Sequence, residues 1–138
     1  MRALCHGTFD FLHVGHILMF AEARTLVDEL VVTLTADVHV NKGPGRPVFN
    51  EWERLQMIRA CRYVSHAEII YEASGMTAID KYRPQIYVKG ADYLVIDKHG
   101  ALGRETELVE RYGGRLYIAQ HAGWSSSKLI ARLKDEIR

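Results

Sequence analysis

The chain has 138 residues, which is the length of one domain and enough to bury a hydrophobic core. Eighteen basic side chains against seventeen acidic ones leave a formal charge of +1, so the composition gives no support to nucleic acid as a partner. No apolar run approaches the roughly 18 residues of a membrane span, and the first predicted strand begins directly after Met1, which leaves no room for a signal peptide. These features predict one cytoplasmic domain that has no membrane partner.

The two cysteines lie in different kinds of predicted element. Cys5 falls in a strand and Cys61 in a helix, and two positions of this kind do not make a disulfide framework. We expect both to be buried free thiols in a reducing compartment.

The first half of the chain alternates between predicted strands and helices. A buried strand from Arg2 to His6 precedes a helix from about Gly15 to Leu26, whose apolar residues recur at three-residue spacing. The next strand, Leu30 to Thr35, is continuous and β-branched, as central parallel strands are. A loop from Asp37 to Val48 is dense in glycine and proline and is predicted to be mobile.

A capping box starts the second helix. Asn50 is a good N-cap and Glu53 stands three residues later, and the helix should continue to about Cys61. The residues predicted on its inner side are Trp52, Leu55 and Ile58.

The second half continues the alternation and predicts the fold. Five strands with about five helices in alternation predict an α/β doubly wound parallel sheet, Rossmann-like, in a single domain. Ligands of such sheets bind at the carboxyl ends of the strands. The segment Leu94 to Gly103 has no clear pattern. The remaining predicted elements are a strand at His66 to Tyr71, a short helix at Met76 to Tyr82, a strand at Gln85 to Lys89, a polar surface helix at Arg104 to Tyr112 closed by Gly113-Gly114, a strand at Leu116 to Ala119, and a final helix capped by Ser125 to Ser127 with Leu129, Ile130 and Leu133 inward.

Polar residues accumulate in four loops that follow strands. These loops are residues 6–16, 37–48, 89–93 and 120–127. The fold predicts that they meet along one edge of the sheet, and a protein with only a core would not need Lys, Arg, His and Ser there. We therefore expect the functional site at this edge.

Two histidines occupy the first of these loops, at the start of a helix. Their spacing can place His13 and His16 on one side of the turn, where they donate hydrogen bonds to phosphate and to charge that develops during phosphoryl transfer. Gly15 lets a phosphate approach the backbone, and the helix N-terminus adds amide donors. The alternatives are two loop histidines with local hydrogen bonds, or a zinc pair, for which no further ligand motif is present.

The second loop and the helix after it carry three cations. On a flexible loop, Lys42 and Arg46 can fold over a triphosphate and neutralise it, although solvated surface charge is the simpler interpretation. Arg54 lies one turn into the next helix and can reach the same anion. Its alternative is a surface ion pair with Glu51 or Glu53.

The last two loops hold further polar groups. Lys89 and Asp92 flank a strand end, where a carboxylate can bind a ribose hydroxyl or a base amino group. A turn-forming Asp is a fair alternative. Ser125, Ser126 and Ser127 precede the last helix, and helix capping needs only one of them. The spare hydroxyls at this helix N-terminus favour a second phosphate-binding site there.

These motifs resemble the cytidylyltransferase-like nucleotidyltransferase superfamily along nearly the whole chain. The signature is Gly-x-Phe-Asp followed by His-x-Gly-His, which is far more specific than a lone glycine-rich turn. The matching stretches are Gly7-Thr8-Phe9-Asp10, His13-Val14-Gly15-His16, Arg46-Pro47-Val48 leading into Glu53-Arg54-Leu55, and Trp124-Ser125-Ser126-Ser127 with Leu129-Ile130.

Two branches of the superfamily compete. Tyr87 to Tyr93 and Gly113 to Leu116 look like the adenylyltransferase domain of bacterial bifunctional heptose-phosphate enzymes. Glycerol-3-phosphate cytidylyltransferases carry an Arg-Thr-Glu-Gly run where this chain has Gln120 to Gly123. The missing arginine places ATP slightly ahead of CTP. Leu94 to Gly103 fits neither branch, and Ser126 replaces the usual threonine.

The resemblance implies nucleotidyl transfer from a nucleoside triphosphate to a phosphorylated small-molecule acceptor. It also implies Mg²⁺ carried by the triphosphate rather than by side chains, and a homodimer. A nucleotide-binding module without turnover and a flavin- or pantetheine-type adenylyltransferase are the alternatives. The resemblance implies catalytic roles for His13, His16, Lys42 and Arg54; nucleotide binding by Gly7, Thr8, Phe9, His13, Gly15, His16, Lys42, Lys89, Asp92, Gly123, Ser125, Ser126 and Ser127; and substrate contacts from Asp10 and Arg46.

Overall fold

The computed structural model describes residues 1–90, 100–120 and 126–137. Within these ranges five parallel strands form one sheet in the order β3-β2-β1-β4-β5. This order confirms the doubly wound α/β fold, with β1 at the centre and the topological switch between β1 and β4. The elements are β1 (Arg2–Gly7), α1 (Val14–Arg24), β2 (Glu29–Thr35), a 3₁₀ turn (Asp37–His39), α2 (Glu51–Arg59), β3 (His66–Ile70), α3 (Met76–Tyr82), β4 (Ile86–Lys89), α4 (Ala101–Arg111), β5 (Arg115–Ile118) and α5 (Ser126–Ile137).

The central strands are buried on both faces. β1 pairs with β2 from Arg2 opposite Glu29 to Gly7 opposite Leu34, and with β4 around Leu4 opposite Tyr87. Nearly every residue of β1 and β2 is buried, which explains their continuous apolar sequence. The carboxyl ends of these strands therefore emerge together at one edge.

Alternate residues of β1 pack into two separate apolar layers. Cys5 joins Phe20 of α1 and Ile58 of α2 on one face of the sheet. Leu4 joins residues of α3 and α4 on the other face, including Val109. No helix in the described ranges is both long and apolar enough to cross a membrane. The sheet thus separates an α1/α2 side from an α3/α4 side, and this division governs the site.

Two inward-facing predictions were wrong for the same geometric reason. Trp52 is 64% exposed and Leu133 is 49% exposed. A strict three-residue spacing drifts around a helix of 3.6 residues per turn, so only part of each predicted stripe faces the sheet. In α2 the buried residues are Arg54, Leu55 and Ile58, while the predicted capping box of Asn50 and Glu53 is present.

The helix that was predicted to be a polar surface element is amphipathic. It begins at Ala101, before the predicted start, and buries Leu102, Glu105, Leu108 and Val109. Both cysteines are free thiols, as predicted; Cys5 is fully buried and Cys61 only partly so. Burial raises the pKa of the Cys5 thiol to about 12, which makes it an unreactive core residue.

Candidate active site

A cleft at the carboxyl edge of the sheet brings together described parts of all four predicted loops. It lies over the ends of β1 and β4, between the N-termini of α1 and α5, with the β2–α2 loop at its side. The predicted site residues that line it are Gly7, Thr8, Phe9, Asp10, His13, Gly15, His16, Lys42, Lys89, Ser126 and Ser127. Asp92, Gly123 and Ser125 lie outside the described residues, and their roles stay predictions.

The two histidines form a reciprocal cap at the start of α1. His13 is the N-cap, and its Nδ1 accepts a hydrogen bond from the Gly15 amide at 3.1 Å. The His16 Nδ1 accepts from the His13 amide at 3.2 Å, and the two rings stack with centroids 3.8 Å apart. Because both Nδ1 atoms accept, the proton of each neutral ring lies on Nε2. The cap therefore fixes both imidazoles as Nε2–H donors.

His16 is uncharged at neutral pH. Burial is the main cause that lowers the pKa of His16 to about 3, and electrostatic repulsion between a protonated His16 and its neighbours His13 and Lys42 adds to it. Its ring packs edge-on against Phe9, with centroids 5.1 Å apart. The group is thus a preorganised hydrogen-bond donor, and it needs no reorganisation when negative charge develops on a phosphate oxygen.

The loop between β2 and α2, which was predicted to be mobile, carries Lys42 at the cleft. Lys42 lies in its glycine-rich arc, residues 42–45. Lys42 is exposed and lines the cleft. Gly43 and Gly45 have φ angles of +96° and +77°, in the left-handed region that favours glycine, and nothing lies within 4 Å of a Cβ built on either. The arc therefore has room to move the ammonium group relative to the cleft.

Asp10 and Arg46 form a buried ion pair that anchors this loop. The Arg46 Nε donates to Asp10 Oδ2 at 2.8 Å, and the two side chains are 6% and 0% exposed. Asp10 also accepts from the amides of Val48 at 2.7 Å and Phe49 at 2.9 Å, and Arg46 also donates to Ser127 Oγ at 3.2 Å. Arg46 does not line the cleft. The pair ties the β1–α1 loop to the β2–α2 loop and to α5, whereas a contact with the acceptor stays a prediction.

These bonds keep Asp10 ionised. Burial on its own would raise the pKa of the Asp10 carboxyl, but hydrogen bonds from the Phe49 amide, Arg46 and the Val48 amide outweigh it and lower that pKa. The carboxylate is therefore a permanent anchor for the loop at neutral pH.

Arg54 is enclosed in the fold instead of facing the cleft. Its side chain is fully buried, and its guanidinium donates to the carbonyl oxygens of Phe49, Thr8 and Thr35 at 2.8–2.9 Å. Its carboxylate partner is Asp37, whose Oδ1 lies 2.7 Å from Nη2, and not Glu51 or Glu53. Arg54 is absent from the cleft lining, because its donors hold together the loops that follow β1 and β2.

The two described serines link α5 to the rest of the site. Ser126 Oγ donates to the carbonyl oxygen of Phe11 at 2.6 Å, and Ser127 accepts from Arg46. Both line the cleft. The N-terminus of α5 is thereby held opposite that of α1, which places two sets of helix amides on one cleft.

Sequence reasoning missed His6. This residue is the second-to-last residue of β1, lines the cleft and is 7% exposed. Its carbonyl oxygen accepts from the Lys89 ammonium at 2.6 Å, and its Nδ1 lies 2.8 Å from Thr33 Oγ1. A polar residue near the end of a buried strand, directly before the signature glycine, is the signal that could have indicated it.

Unprotonated buried histidines should make the protein less stable in mild acid. Burial, with Lys89 as a lesser cause, lowers the pKa of His6 to about 3, as it does for His16. Between about pH 6.5 and 5 the unfolded chain binds protons that the folded chain does not, so the free energy of unfolding should fall by up to about 1.4 kcal/mol per pH unit for each group. Thermal unfolding across this range measures the slope.

Substitution of His6 tests its share of this slope. A His6→Gln variant should show a shallower dependence of the free energy of unfolding on pH than the wild type. Equal slopes in the wild type and in His6→Gln would contradict a depressed pKa at this position.

Comparison with known proteins places the chain in a family. A family model described as cytidylyltransferase-like matches residues 4–132. The chain therefore belongs to the cytidylyltransferase-like family of nucleotidyltransferases. It is 37% identical over 133 residues to the bifunctional protein HldE of Syntrophotalea carbinolica, and 37% identical over 131 residues to that of Caulobacter sp. strain K31. These matches cover 94% and 93% of this chain but 26% of each relative, so the chain spans about a quarter of their length.

Solved structures agree with this assignment. A lipopolysaccharide core biosynthesis protein from Thermoplasma volcanium superposes with a TM-score of 0.69 at 26% identity, covering 91% of this chain and 98% of that one. The pantoate-beta-alanine ligase of Francisella tularensis superposes with a TM-score of 0.64 at 15% identity, over 99% of this chain and 69% of that one. The second likeness shows the fold alone.

Proposed function

We propose that the chain transfers the adenylyl group of ATP to a phosphorylated sugar, with a heptose phosphate as the preferred acceptor, and releases pyrophosphate. The observation that carries this proposal is the reciprocal cap, which fixes two Nε2–H donors at the N-terminus of α1. They share one cleft with Lys42 and the N-terminus of α5. Such a constellation of neutral donors, amide dipoles and one mobile cation suits a polyphosphate whose charge shifts during reaction.

The chemistry needs no covalent enzyme intermediate. A phosphate oxygen of the acceptor attacks the α-phosphorus of ATP in line, the new P–O bond forms, and the bond to the β-phosphate bridging oxygen breaks. The electron pair of that bond leaves with pyrophosphate. His13 and His16 would stabilise charge on the α-phosphoryl oxygens, and Lys42 would neutralise the leaving group as its loop closes. Ser126 and Ser127 would contribute contacts to the phosphates.

Magnesium belongs to this proposal as a companion of the triphosphate. Across residues 1–90, 100–120 and 126–137, no group of three or more His, Cys, Asp or Glu side chains is placed to hold a metal ion. An ion coordinated by triphosphate oxygens and water needs no such group, since Mg²⁺ commonly keeps several waters and binds through substrate phosphates. When bound, it would supply charge neutralisation beside Lys42.

The choice of ATP and of a heptose phosphate rests on the relatives and on one loop. The bifunctional HldE relatives are 37% identical to this chain and match 93–94% of it. Tyr87 to Tyr93 and Gly113 to Leu116 also resemble the adenylyltransferase domain of bacterial bifunctional heptose-phosphate enzymes. The chain also lacks the Arg-Thr-Glu-Gly run of glycerol-3-phosphate cytidylyltransferases at Gln120 to Gly123. CTP with a polyol phosphate is the competing pair. A homodimer in the cytoplasm, without membrane or nucleic-acid partners, remains our expectation.

A matrix of substrates tests the function. Pyrophosphate release is measured for ATP, CTP, GTP and UTP against heptose, glycerol, ribitol and ethanolamine phosphates. We expect release that requires both reactants and is fastest with ATP and heptose phosphate, by about tenfold or more over CTP. Reactions without acceptor are the control for hydrolysis. Preference for CTP and glycerol phosphate would reverse the assignment, and tight nucleotide binding without product from any acceptor would favour a binding module.

A further inference from the structure

The imidazole of His6 carries a buried polar atom without a partner. Its Nδ1 lies 2.8 Å from the hydroxyl of Thr33, but its Nε2 has no hydrogen-bond partner within the described part of the chain. The side chain belongs to a residue that lines the cleft and is 7% exposed. Buried polar atoms are nearly always bonded, so an orphaned nitrogen in a residue that lines the cleft calls for a ligand or a water.

Counting hydrogens assigns the proton of this ring. Burial lowers the pKa of His6 to about 3, so the neutral ring carries one proton. If that proton sat on Nδ1, the hydroxyl hydrogen of Thr33 and the lone pair of Nε2 would both lack partners. If Thr33 donates to Nδ1, only the Nε2–H group lacks one. The second arrangement leaves fewer unsatisfied groups and makes Nε2 a hydrogen-bond donor.

The ring lies on the side of the sheet away from the phosphate-binding helix N-terminus of α1. A Cβ built on Gly75 would meet His6 Cδ2 at 3.2 Å, Glu105 Oε1 at 3.1 Å and Tyr87 Oη at 2.6 Å. Tyr87 packs in the layer covered by α3 and α4, whereas α1 covers the opposite face. A triphosphate held by His13, His16 and Lys42 would therefore occupy the α1 side of the cleft. The side lined by His6 would then be open to the second reactant, the phosphorylated acceptor.

The polar groups on the His6 side of the cleft suit two different parts of the acceptor, its phosphate and its hydroxyl groups. Lys89 is 3% exposed and donates to the His6 carbonyl oxygen, so its ammonium charge stands at the end of β4 beside the ring. A phosphate is better served by an ammonium group. An uncharged N–H donor, with the Tyr87–Glu105 hydrogen bond of 2.7 Å behind it, matches a hydroxyl.

We propose that the Nε2–H group of His6 donates a hydrogen bond to a hydroxyl on the carbon skeleton of the phosphorylated acceptor, which makes His6 a specificity-determining residue; this rests on the proposed function. The Nε2 atom is closed off from solvent, and Gly75 packs directly on the ring. Binding therefore shifts the ring or the Gly75 segment by a small distance to admit the hydroxyl.

Two substitutions separate the two ring nitrogens. In His6→Asn the amide oxygen can take the place of Nδ1 and accept from the Thr33 hydroxyl, but Nε2 is lost. In His6→Gln the amide nitrogen replaces Nε2. We expect His6→Asn to raise the KM for the acceptor by about tenfold with the KM for the nucleotide unchanged, and His6→Gln to restore the acceptor KM to within about threefold of the wild type.

A structural role predicts the opposite order. If His6 only ties β1 to Thr33, His6→Asn keeps that bond and behaves as wild type, whereas His6→Gln loses melting temperature without a specific change in acceptor KM. That result, or an unchanged acceptor KM in both variants, overturns the proposal and indicates a buried water at Nε2.

A binding measurement without turnover keeps the proposal separate from the proposed function. The ¹⁵N resonance of His6 Nε2 is followed as heptose phosphate, and in parallel glycerol phosphate, is added without nucleotide. We expect the resonance of a protonated Nε2 to shift with the preferred acceptor and not with inorganic phosphate. Normal pyrophosphate release with no shift from either acceptor overturns the role of His6 alone. Absence of release with every acceptor overturns the function.

Discussion

Replacing His16 with alanine is expected to lower kcat by about 10²–10⁴-fold. The side chain is held as a neutral Nε2–H donor by the His13 amide and by burial, which lowers its pKa to about 3. Under the proposed function, removal deletes a donor to charge that grows in the transition state, so kcat should fall far more than nucleotide affinity. Single-turnover pyrophosphate release with ATP and the best acceptor measures the effect.

The variant loses one half of the α1 cap and should remain folded. The His13 Nδ1 to Gly15 bond does not involve His16, so the cost in unfolding free energy should be about 1 kcal/mol. His39→Ala, an exposed histidine in the 3₁₀ turn, is the matched control and should retain wild-type turnover. Turnover within a few-fold of wild type in a folded His16→Ala protein would remove His16 from the chemistry.

The pH dependence of the reaction adds a second, independent check. Since the pKa of His16 lies near 3 in the free protein, no ionisation near pH 6.5 should be traceable to this residue. A step near pH 6.5 in kcat/KM that disappears in His16→Gln would show that the ring titrates and would contradict the neutral-donor role.

Local patterns were enough to predict the frame of the site. The capping box of Asn50 and Glu53 is a local motif, whose partners lie three residues apart. The first helix was predicted to start at about Gly15, and it starts one residue earlier, at Val14, with His13 as its N-cap. The alternation of strands and helices sets a doubly wound sheet, because right-handed crossovers leave few other arrangements. The convergence of the four loops then follows from the topology rather than from any single residue.

The position of Arg54 could not be predicted from the sequence, because its hydrogen-bond partners are far from it along the chain. The Arg54 guanidinium bonds to oxygens of Thr8 and Thr35, which are 46 and 19 residues away. In sequence it is one more cation on a polar helix, predicted to reach the triphosphate, with an exposed pair to Glu51 or Glu53 as the alternative. Only the folded chain shows that the side chain is fully buried.

His6 was missed for a related reason. A single polar residue at the end of a strand is common, and nothing in the sequence distinguishes a bonded imidazole nitrogen from an orphaned one. Its significance depends on Thr33, Gly75 and Lys89, which only the sheet order brings to the same place. The roles predicted for Asp92, Gly123 and Ser125 still await their own test, since these residues lie outside the described ranges.

Two buried charges share the task of shaping the loop that bears Lys42. Asp10 fixes the C-terminal end of that loop through Arg46 and the amides of Val48 and Phe49. Arg54 fixes the other end through Asp37 and holds Phe49 by its carbonyl oxygen. The backbone of Phe49 is thus held at both its amide, by Asp10, and its carbonyl oxygen, by Arg54. The glycine-rich arc between the two anchors carries Lys42, and under the proposed function its movement would bring this cation over the triphosphate.

Replacing Arg54 with alanine is expected to lower the free energy of unfolding by about 3–5 kcal/mol, which is about 10–20 °C in melting temperature. The change removes the hydrogen-bond donor of three carbonyl oxygens. It also leaves Asp37, whose side chain is 39% exposed, without its cation. Thermal and urea unfolding measure the loss. Arg59→Ala, an exposed arginine on the same helix, is the control and should cost no more than about 0.5 kcal/mol.

An Arg54→Lys variant distinguishes an organising role from direct contact with the triphosphate. Lysine keeps the charge but cannot reproduce the planar fork of donors to oxygens of Phe49, Thr8 and Asp37. If Arg54 acts by holding the loops, stability and nucleotide affinity should fall together in this variant, and added ATP should recover part of the stability by binding the folded state. A variant that keeps wild-type stability but binds ATP weakly would instead place the guanidinium on the triphosphate. Because Arg54 makes its bonds inside the fold and contributes no surface to the cleft, we expect the first outcome.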